Sequence, residues 1–167
     1  MKQPFENAVE THGQTVMRVC RAALGPGTEA EDAWSETFLA AMKAWPQLDA
    51  QTNVQAWLVR VAQRKTIDVL RARSRGAVPV DSVPETASPW GNPDVENHHV
   101  WQAVGALPQR QRLSVAYHFL GGLSHAQTAE LIGGSAASVR RASADGVRAL
   151  REALGHEAQF GTSQTSS

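Results

Sequence analysis

What this 167-residue chain has little of narrows the field early. One cysteine, Cys20, allows no internal disulfide framework and fits a reducing compartment. One tyrosine and no run of alternating β-branched residues leave strands little support. No apolar stretch approaches the roughly 20 residues that cross a bilayer. The opening MKQPFENAVE lacks the apolar core of a signal peptide, so a cytoplasmic location is expected. There is no glycine-rich phosphate loop. His98, His99, His118, His125 and His156 stand at no metal-ligand spacing with acids or cysteines. Neither a metal, a cofactor nor an enzymatic activity is therefore expected. Asp32 and Glu36 form a like-charged pair one helical turn apart with no base beside them, which gives acid–base catalysis no foothold. Net charge is also missing, because 16 basic residues cancel 16 acidic ones. A chain with so little excess positive charge should hold DNA weakly by itself, since phosphate contacts supply most non-specific affinity.

What is present is apolar and helical. The 42% hydrophobic content can fill a core, and charged residues make up only 19%. The charge is unevenly placed. Residues 1–78 hold 10 basic and 8 acidic groups, 79–97 hold none and 4, and 98–167 hold 6 and 4. Two mildly basic blocks thus flank an acidic joint.

The periodicity predicts a helix from about Phe5 to Leu24, ended by Gly25-Pro26-Gly27. A second helix should start at Thr28, in a capping box with Glu31, and stop before Pro46. It should bury Trp34, Phe38, Ala41 and Trp45, leaving Asp32, Ser35, Glu36 and Leu39 outside. Glu29, Glu31 and Asp32 in a first turn are explained by the helix dipole; Glu36 lies deeper and is not. After the loop Pro46–Asn53 comes a third helix, with Asn53 as N-cap and an apolar stripe of Leu58, Val61, Ala62, the stem of Lys65, and Val69. Arg60, Arg64, Asp68, Arg71 and Arg75 run along another face, with Arg73 beside them and Trp57 near the start. Guanidinium groups in a row suit phosphates, and an aromatic at their end suits an unstacked base. A solvated face held by Arg64–Asp68 and Asp68–Arg71 pairs accounts for the same row equally well.

Gly76–Asn97 carries four prolines, four acids and no base, and reads as a flexible linker with Trp90 its one candidate for docking. Four short helices should follow from about Val95. The first buries Trp101, Val104 and Leu107; the second, after Pro108, turns Leu113, Ala116, Phe119 and Leu120 inward. Ser124 and Gln127 form a capping box opening the third, Gly133-Gly134 turns the chain, and Ser135 caps a fourth running to about Leu154. Short helix, glycine turn and longer helix make a helix-turn-helix. The fold expected is all-α, in two small domains: residues 1–75, a linker 76–94, a helix-turn-helix domain 95–154, and a disordered tail 155–167.

Taken in order, these pieces resemble the extracytoplasmic-function (ECF) sigma factors, over roughly Phe5–Arg75 and Val95–Leu154. AEDAWSETFLAAMKAW (Ala30–Trp45) is similar to the family's polymerase-clamp segment, matching at Glu31, Asp32, Glu36, Phe38 and Trp45, with Ser35 in place of the usual glutamine. NVQAWLVRVAQRKTIDVLR resembles the helix that reads and opens the minus-ten element. Ala56, Trp57, Leu58, Arg60, Ala62, Asp68 and Arg71 match, while Arg64 and Lys65 depart from the common pair. ALPQRQRLSVAYHFLGGLSHAQTAELIG is similar to the signature A-L-P-x-x-Q-R … G-L-S-x-x-E-I-A, with Thr128 where isoleucine is usual.

The resemblance implies a transcription-initiation specificity factor whose partners are core RNA polymerase and promoter DNA, with an anti-sigma protein common in the family. It implies a polymerase contact through Asp32, Ser35, Glu36, Phe38 and Leu39. It implies minus-ten contacts through Asn53, Trp57, Arg60, Arg64, Lys65, Arg71 and Arg73. Minus-thirty-five contacts would come from Ser124, Gln127, Ser135, Ala137, Ser138, Arg140 and Arg141. The last helix departs from the family, with Ala142, Ser143, Asp145 and Gly146 in its middle; a glycine there costs about 1 kcal/mol relative to alanine. Weak duplex binding by residues 95–160 alone is therefore expected. A stand-alone helix-turn-helix regulator, and an interaction module without DNA activity, remain as other readings.

Overall fold

The computed structural model describes residues 3–76 and 98–162, with side chains of the second stretch as far as Gly155. The expected acidic joint (77–94), the helix start at Val95, Trp90 and the end of the tail (163–167) lie outside the described residues. Helix α1 spans Phe5–Leu24, α2 Thr28–Ala44 and α3 Val54–Ser74, with a single 3-10 turn, Trp45–Gln47, after α2. In the second block α4 is His98–Gly105 and α5 Gln109–Ser114. A π-helical turn, Val115–Leu120, continues α5, followed by α6, His125–Ile132, and α7, Ala136–Thr162. No strand occurs among the described residues, so the all-α expectation holds.

The helix ends are chemically specified. The Asn53 side chain accepts from the Ala56 amide at 3.1 Å, as an N-cap should. Ser124 and Gln127 form the reciprocal capping box in full. The box expected at Thr28 does not form: Thr28 is already helical, Gly27 occupies the cap position, and no side chain bonds there. At the other end of the chain α7 runs on to Thr162, eight residues past Leu154 and into the segment expected to be a disordered tail. Gly155 has no breaker beside it, so the helix passes through.

The first block is a three-helix bundle, with α1, α2 and α3 each packed on the other two. Its core holds Val16, Val19, Cys20, Ala30, Trp34, Phe38, Ala41, Leu58, Val59 and Ala62. Fully burying each of the larger aliphatic side chains is worth roughly 1.5–3 kcal/mol. An aromatic ladder stiffens it: Trp34 to Phe38 at 4.5 Å between ring centroids, Phe5 to Trp45 at 5.6 Å, and Trp45 to Trp57 at 6.4 Å.

The second block does not stand apart. Helix α1 packs on α4, on α5 and on the π turn. Val104, Leu113, Ala116, Tyr117 and Leu123 belong to the same apolar cluster as the first block's core. This contact displaces the expected stripe of α3. Gln63 and Thr66, both polar, are buried, whereas Val61, Lys65 and Val69 are only half-buried. Thr66 and the Tyr117 hydroxyl share a 2.7 Å hydrogen bond, and Gln63 Nε2 donates to the Leu131 carbonyl at 3.4 Å. Polar residues are buried here because the second block supplies their partners.

Inside the second block, Gly146 has a positive role. A Cβ built there would come within 2.8 Å of Val115 Cγ2, so the missing side chain lets α7 approach the π turn. Ser143, beside it on the buried face, donates to the Arg140 carbonyl at 3.1 Å. The expected inward face of α5 and the π turn is right for Leu113, Ala116 and the half-buried Leu120, and wrong for Phe119, which is 60% exposed. Phe119 lies within the π turn, between the buried Ala116 and the half-buried Leu120, and points off their stripe.

Candidate nucleic-acid and protein interfaces

Helix α2 presents Asp32, Ser35, Glu36 and Leu39 to solvent. These residues recur at three- and four-residue steps and fall on one face. Met42 extends the row by one step; Leu39 and Met42 are 53% and 49% exposed, large apolar surface left open on an otherwise well-packed bundle. Phe38, expected among the polymerase contacts, needs correction. It is 6% exposed and locked between Trp34 and Phe5, because it falls on the Trp34–Ala41 side of the helix. The apolar member of this face is Leu39 with Met42.

On α3, Trp57, Arg60, Arg64, Asp68, Arg71 and Arg75 fall within an arc of about 80° at 100° per residue. Arg64, Asp68, Arg71 and Arg75 are exposed; Trp57, Arg60 and Lys65 are half-buried. Trp57 leans on Trp45 at the end of the aromatic ladder, which fixes its position. Asn53, spent on the cap, orients the loop in front of it. Arg73 does not belong to this row. It lies about 160° from Trp57 around the helix, and its guanidinium donates to the Leu24 carbonyl at 2.9 Å and to Glu29. It ties α3 to the α1–α2 turn, so it is not available for phosphate.

In the helix-turn-helix, the predicted residues divide by task. Ser124 and Gln127 bond to each other's backbone at 3.0 and 2.9 Å and shape the start of α6. Ser135 accepts from the Ser138 amide at 3.1 Å, and Ser138 Oγ accepts in turn from Arg110 at 2.7 Å. These four hold the turn. Ala137, Arg140 and Arg141 are exposed at the start of α7.

Beside Arg140, His118 and His125 stack with ring centroids 3.9 Å apart, and His118 Nδ1 donates to the Leu123 carbonyl at 2.6 Å. Desolvation, then the neighbouring His118 and Arg140, hold the His125 imidazole below the ordinary histidine value. Together with Phe119, Ala144, Val147, Arg148 and Arg151 they line an open groove of about 470 Å³. The sequence reading missed it because Phe119 was expected inside.

Among the described residues, no group of three or more His, Cys, Asp or Glu gathers around a possible metal position. No described helix is long and apolar enough to cross a membrane. Cys20 is fully buried, and burial pushes its thiol up to about 12.

An acidic, apolar-tipped stripe, an arginine row led by a tryptophan, and a helix-turn-helix thus occur in one chain. The model of sigma-70 region 2 matches residues 8–76, and that of sigma-70 region 4 matches residues 99–150. The chain belongs to the ECF sigma factors. It is a sigma factor of transcription initiation. Its relatives include the ECF RNA polymerase sigma factor SigD of Mycobacterium tuberculosis, 28% identical over 165 residues, covering 92% of this chain and 78% of the relative. The ECF RNA polymerase sigma factor BldN of Streptomyces coelicolor is 29% identical over 171 residues, covering 93% of this chain and 62% of BldN. Among solved structures, the sigma factor RpoE of Bartonella quintana, crystallised with the anti-sigma factor NepR, superposes with a TM-score of 0.68. It shares 18% identity, over 90% of this chain and 96% of RpoE. CnrH, solved with the cytosolic domain of CnrY, superposes at 0.61 with 23% identity, over 91% and 88% of the two chains. At such identities the two structures speak to the fold.

Proposed function

We propose that this sigma factor docks on core RNA polymerase through Asp32, Ser35, Glu36, Leu39 and Met42. The minus-ten element then lies along α3, and the helix-turn-helix reads the minus-thirty-five element. The observation that carries the reading is the α3 row. Four arginines and a fixed tryptophan share one face, on the side of the helix away from Leu58, Ala62, Thr66 and Leu70. Arg60, Arg64, Arg71 and Arg75 hold phosphates, with Lys65 at the margin, while Trp57 and the loop ending at Asn53 receive a base leaving the stack. The α2 stripe supports the docking assignment, because acidic residues around two open apolar side chains have the make-up of an interface with an apolar centre and polar rim.

In the second block Arg140 and Arg141 contact bases or phosphates, Ala137 lets the groove come close, and the serine caps keep α6 and α7 in register. The protein works in the cytoplasm as a non-catalytic factor without a cofactor. The relatives solved with NepR and CnrY favour an anti-sigma protein as a further partner.

Transcription in vitro with sigma-free core polymerase and a bank of promoters tests this. Promoter-specific initiation is expected. Leu39→Ala combined with Met42→Ala should weaken core binding at least tenfold with an unchanged Tm. Unchanged core affinity in that variant overturns the docking face, and no promoter-specific initiation overturns the whole reading.

A further inference from the structure

Building on the promoter reading above, we propose that Arg110 is a positioning residue for minus-thirty-five selectivity. It braces the start of α7 and so sets where Ala137, Arg140 and Arg141 meet the base edges. Arg110 stands at one of the two unspecified positions of the A-L-P-x-x-Q-R signature, so the family likeness gives it no task. It lies in the first turn of α5, yet its guanidinium crosses to the turn between α6 and α7. There Nη2 donates to the Gly133 carbonyl at 3.0 Å and to Ser138 Oγ at 2.7 Å. One side chain thus ties three helices together where the helix-turn-helix bends. The turn is shaped to receive it. Gly134 has φ +86°, and a Cβ there would land on the Arg110 guanidinium and 2.9 Å from Ser138 Oγ. Backbone conformation and space both call for glycine.

The cap of α7 is short-armed, which is why a brace matters. Ser135 and Ser138 make a capping box with serine at both ends: each hydroxyl accepts from the other residue's amide at 3.1 Å. Ser138 Oγ also donates to the Ser135 carbonyl at 2.8 Å. With Arg110 as its second donor, that hydroxyl has given its one proton and filled both lone pairs. It has nothing left for a base, so its work is local. The box closes within four residues of chain, and Arg110 carries it to a second helix. A guanidinium here is favoured by the C-terminal end of α6 and disfavoured by the N-terminal end of α7. Its two acceptors hold it in place against the second of these. Base reading needs side chains held to within about 0.5 Å. Arg140 and Arg141 lie two and three residues beyond Ser138, so a start free to shift blurs which base edges they meet.

The test uses the full chain with core polymerase and a promoter library randomised over the minus-thirty-five positions, the minus-ten element being held fixed. Arg110→Ala should lower the enrichment of the selected sequence over its single-base variants at least fivefold. Helicity should not change, nor should the slope of log affinity against log salt, which falls by about 1 when a phosphate contact is lost. Ser138→Ala should cost a comparable share of the enrichment, and adding Arg110→Ala to it should cost little more, because the two act through one bond. Arg110→Lys keeps the charge and should recover less than half of the loss. In the free protein, Arg110→Ala should speed hydrogen exchange at least threefold at the Ser138 and Val139 amides, which bond to Ser135. Unchanged enrichment, a slope lowered by about 1, full rescue by lysine, additive losses in the double variant or unchanged exchange each overturn the brace. Faster exchange in Arg110→Ala, with no promoter selected by the unmodified chain, keeps the brace and removes the promoter reading instead.

Discussion

Helices α3 and α7 both face DNA in this reading, and they are built on opposite terms. Helix α3 is anchored on three sides, by α1, α2 and the Arg73 tie to Leu24 and Glu29, and its free face is dense with arginine. Helix α7 has small residues at its centre, a glycine that lets it sink onto Val115, and only Arg140 and Arg141 near its reading end. The difference separates strength from placement. On the proposed reading, phosphate affinity is concentrated in the first block, and the second contributes position through a rigid turn made of serine caps. The expectation that residues 95–160 bind duplex DNA weakly by themselves belongs to the same contrast.

The contrast can be broken most sharply at Trp57. Stacking a base on an aromatic is worth about 1–3 kcal/mol, so Trp57→Ala should slow promoter opening by roughly ten- to a hundredfold, read by permanganate reactivity of the melted strand. Normal opening would remove α3 from its leading role. Next comes Gly146→Leu, whose side chain must displace Val115 or lift α7; overpacking of this kind costs about 1–3 kcal/mol, seen as a lower midpoint in urea. A neutral result would make Gly146 a loose position and no packing device. Asn53→Ala and Ser135→Ala remove the caps of α3 and α7, and each should cost about 1 kcal/mol by thermal melting. Equal losses fit two equally well-specified starts, and a loss only at Ser135 would show that the anchoring of α3 makes its cap redundant. The smallest effect is expected from Arg148→Ala. Its exposed 3.7 Å pair with Asp145 is worth no more than about 0.5 kcal/mol, and stability should scarcely move.

Alkaline titration sharpens the same comparison from the seam between the blocks. Burial, eased by the Thr66 hydrogen bond, pushes the Tyr117 hydroxyl up to about 12 from an ordinary 10. The unfolded chain releases that proton first, so stability is intact below pH 10 and declines as the pH climbs towards 12. Tyr117→Phe should flatten this part of the profile, measured by urea melts at stepped pH.

Much of this fold was legible in the sequence, for local reasons. Gly25-Pro26-Gly27, Pro46, Gly121-Gly122 and Gly133-Gly134 punctuate the helices, and Asn53 and Ser124 cap them as their side chains dictate. What failed was non-local. The stripe of α3 was misjudged because Gln63 and Thr66 are buried by partners more than 50 residues away in sequence, Leu131 and Tyr117.

The candidate surfaces were half legible. The wheel position of Arg73 already separates it from Arg60 and Arg64, and that of Phe38 separates it from Glu36 and Leu39. Met42 lies one step beyond Leu39 in the same row. Phe119 and its groove depended on where α7 lies over α5 and the π turn, which no local pattern states.

Cys20 gives the seam a chemical clock. Its thiol lies on α1, fully buried and electrostatically coupled to Tyr117 across the contact. Burial holds the thiol far above its ordinary value, which at pH 7 disfavours the thiolate, the form that alkylating reagents and oxidants attack. The folded protein is thus silent to them, and modification proceeds through openings that bring the thiol to water. Counting alkylated Cys20 against time reports how often the chain undoes that packing, with no label added.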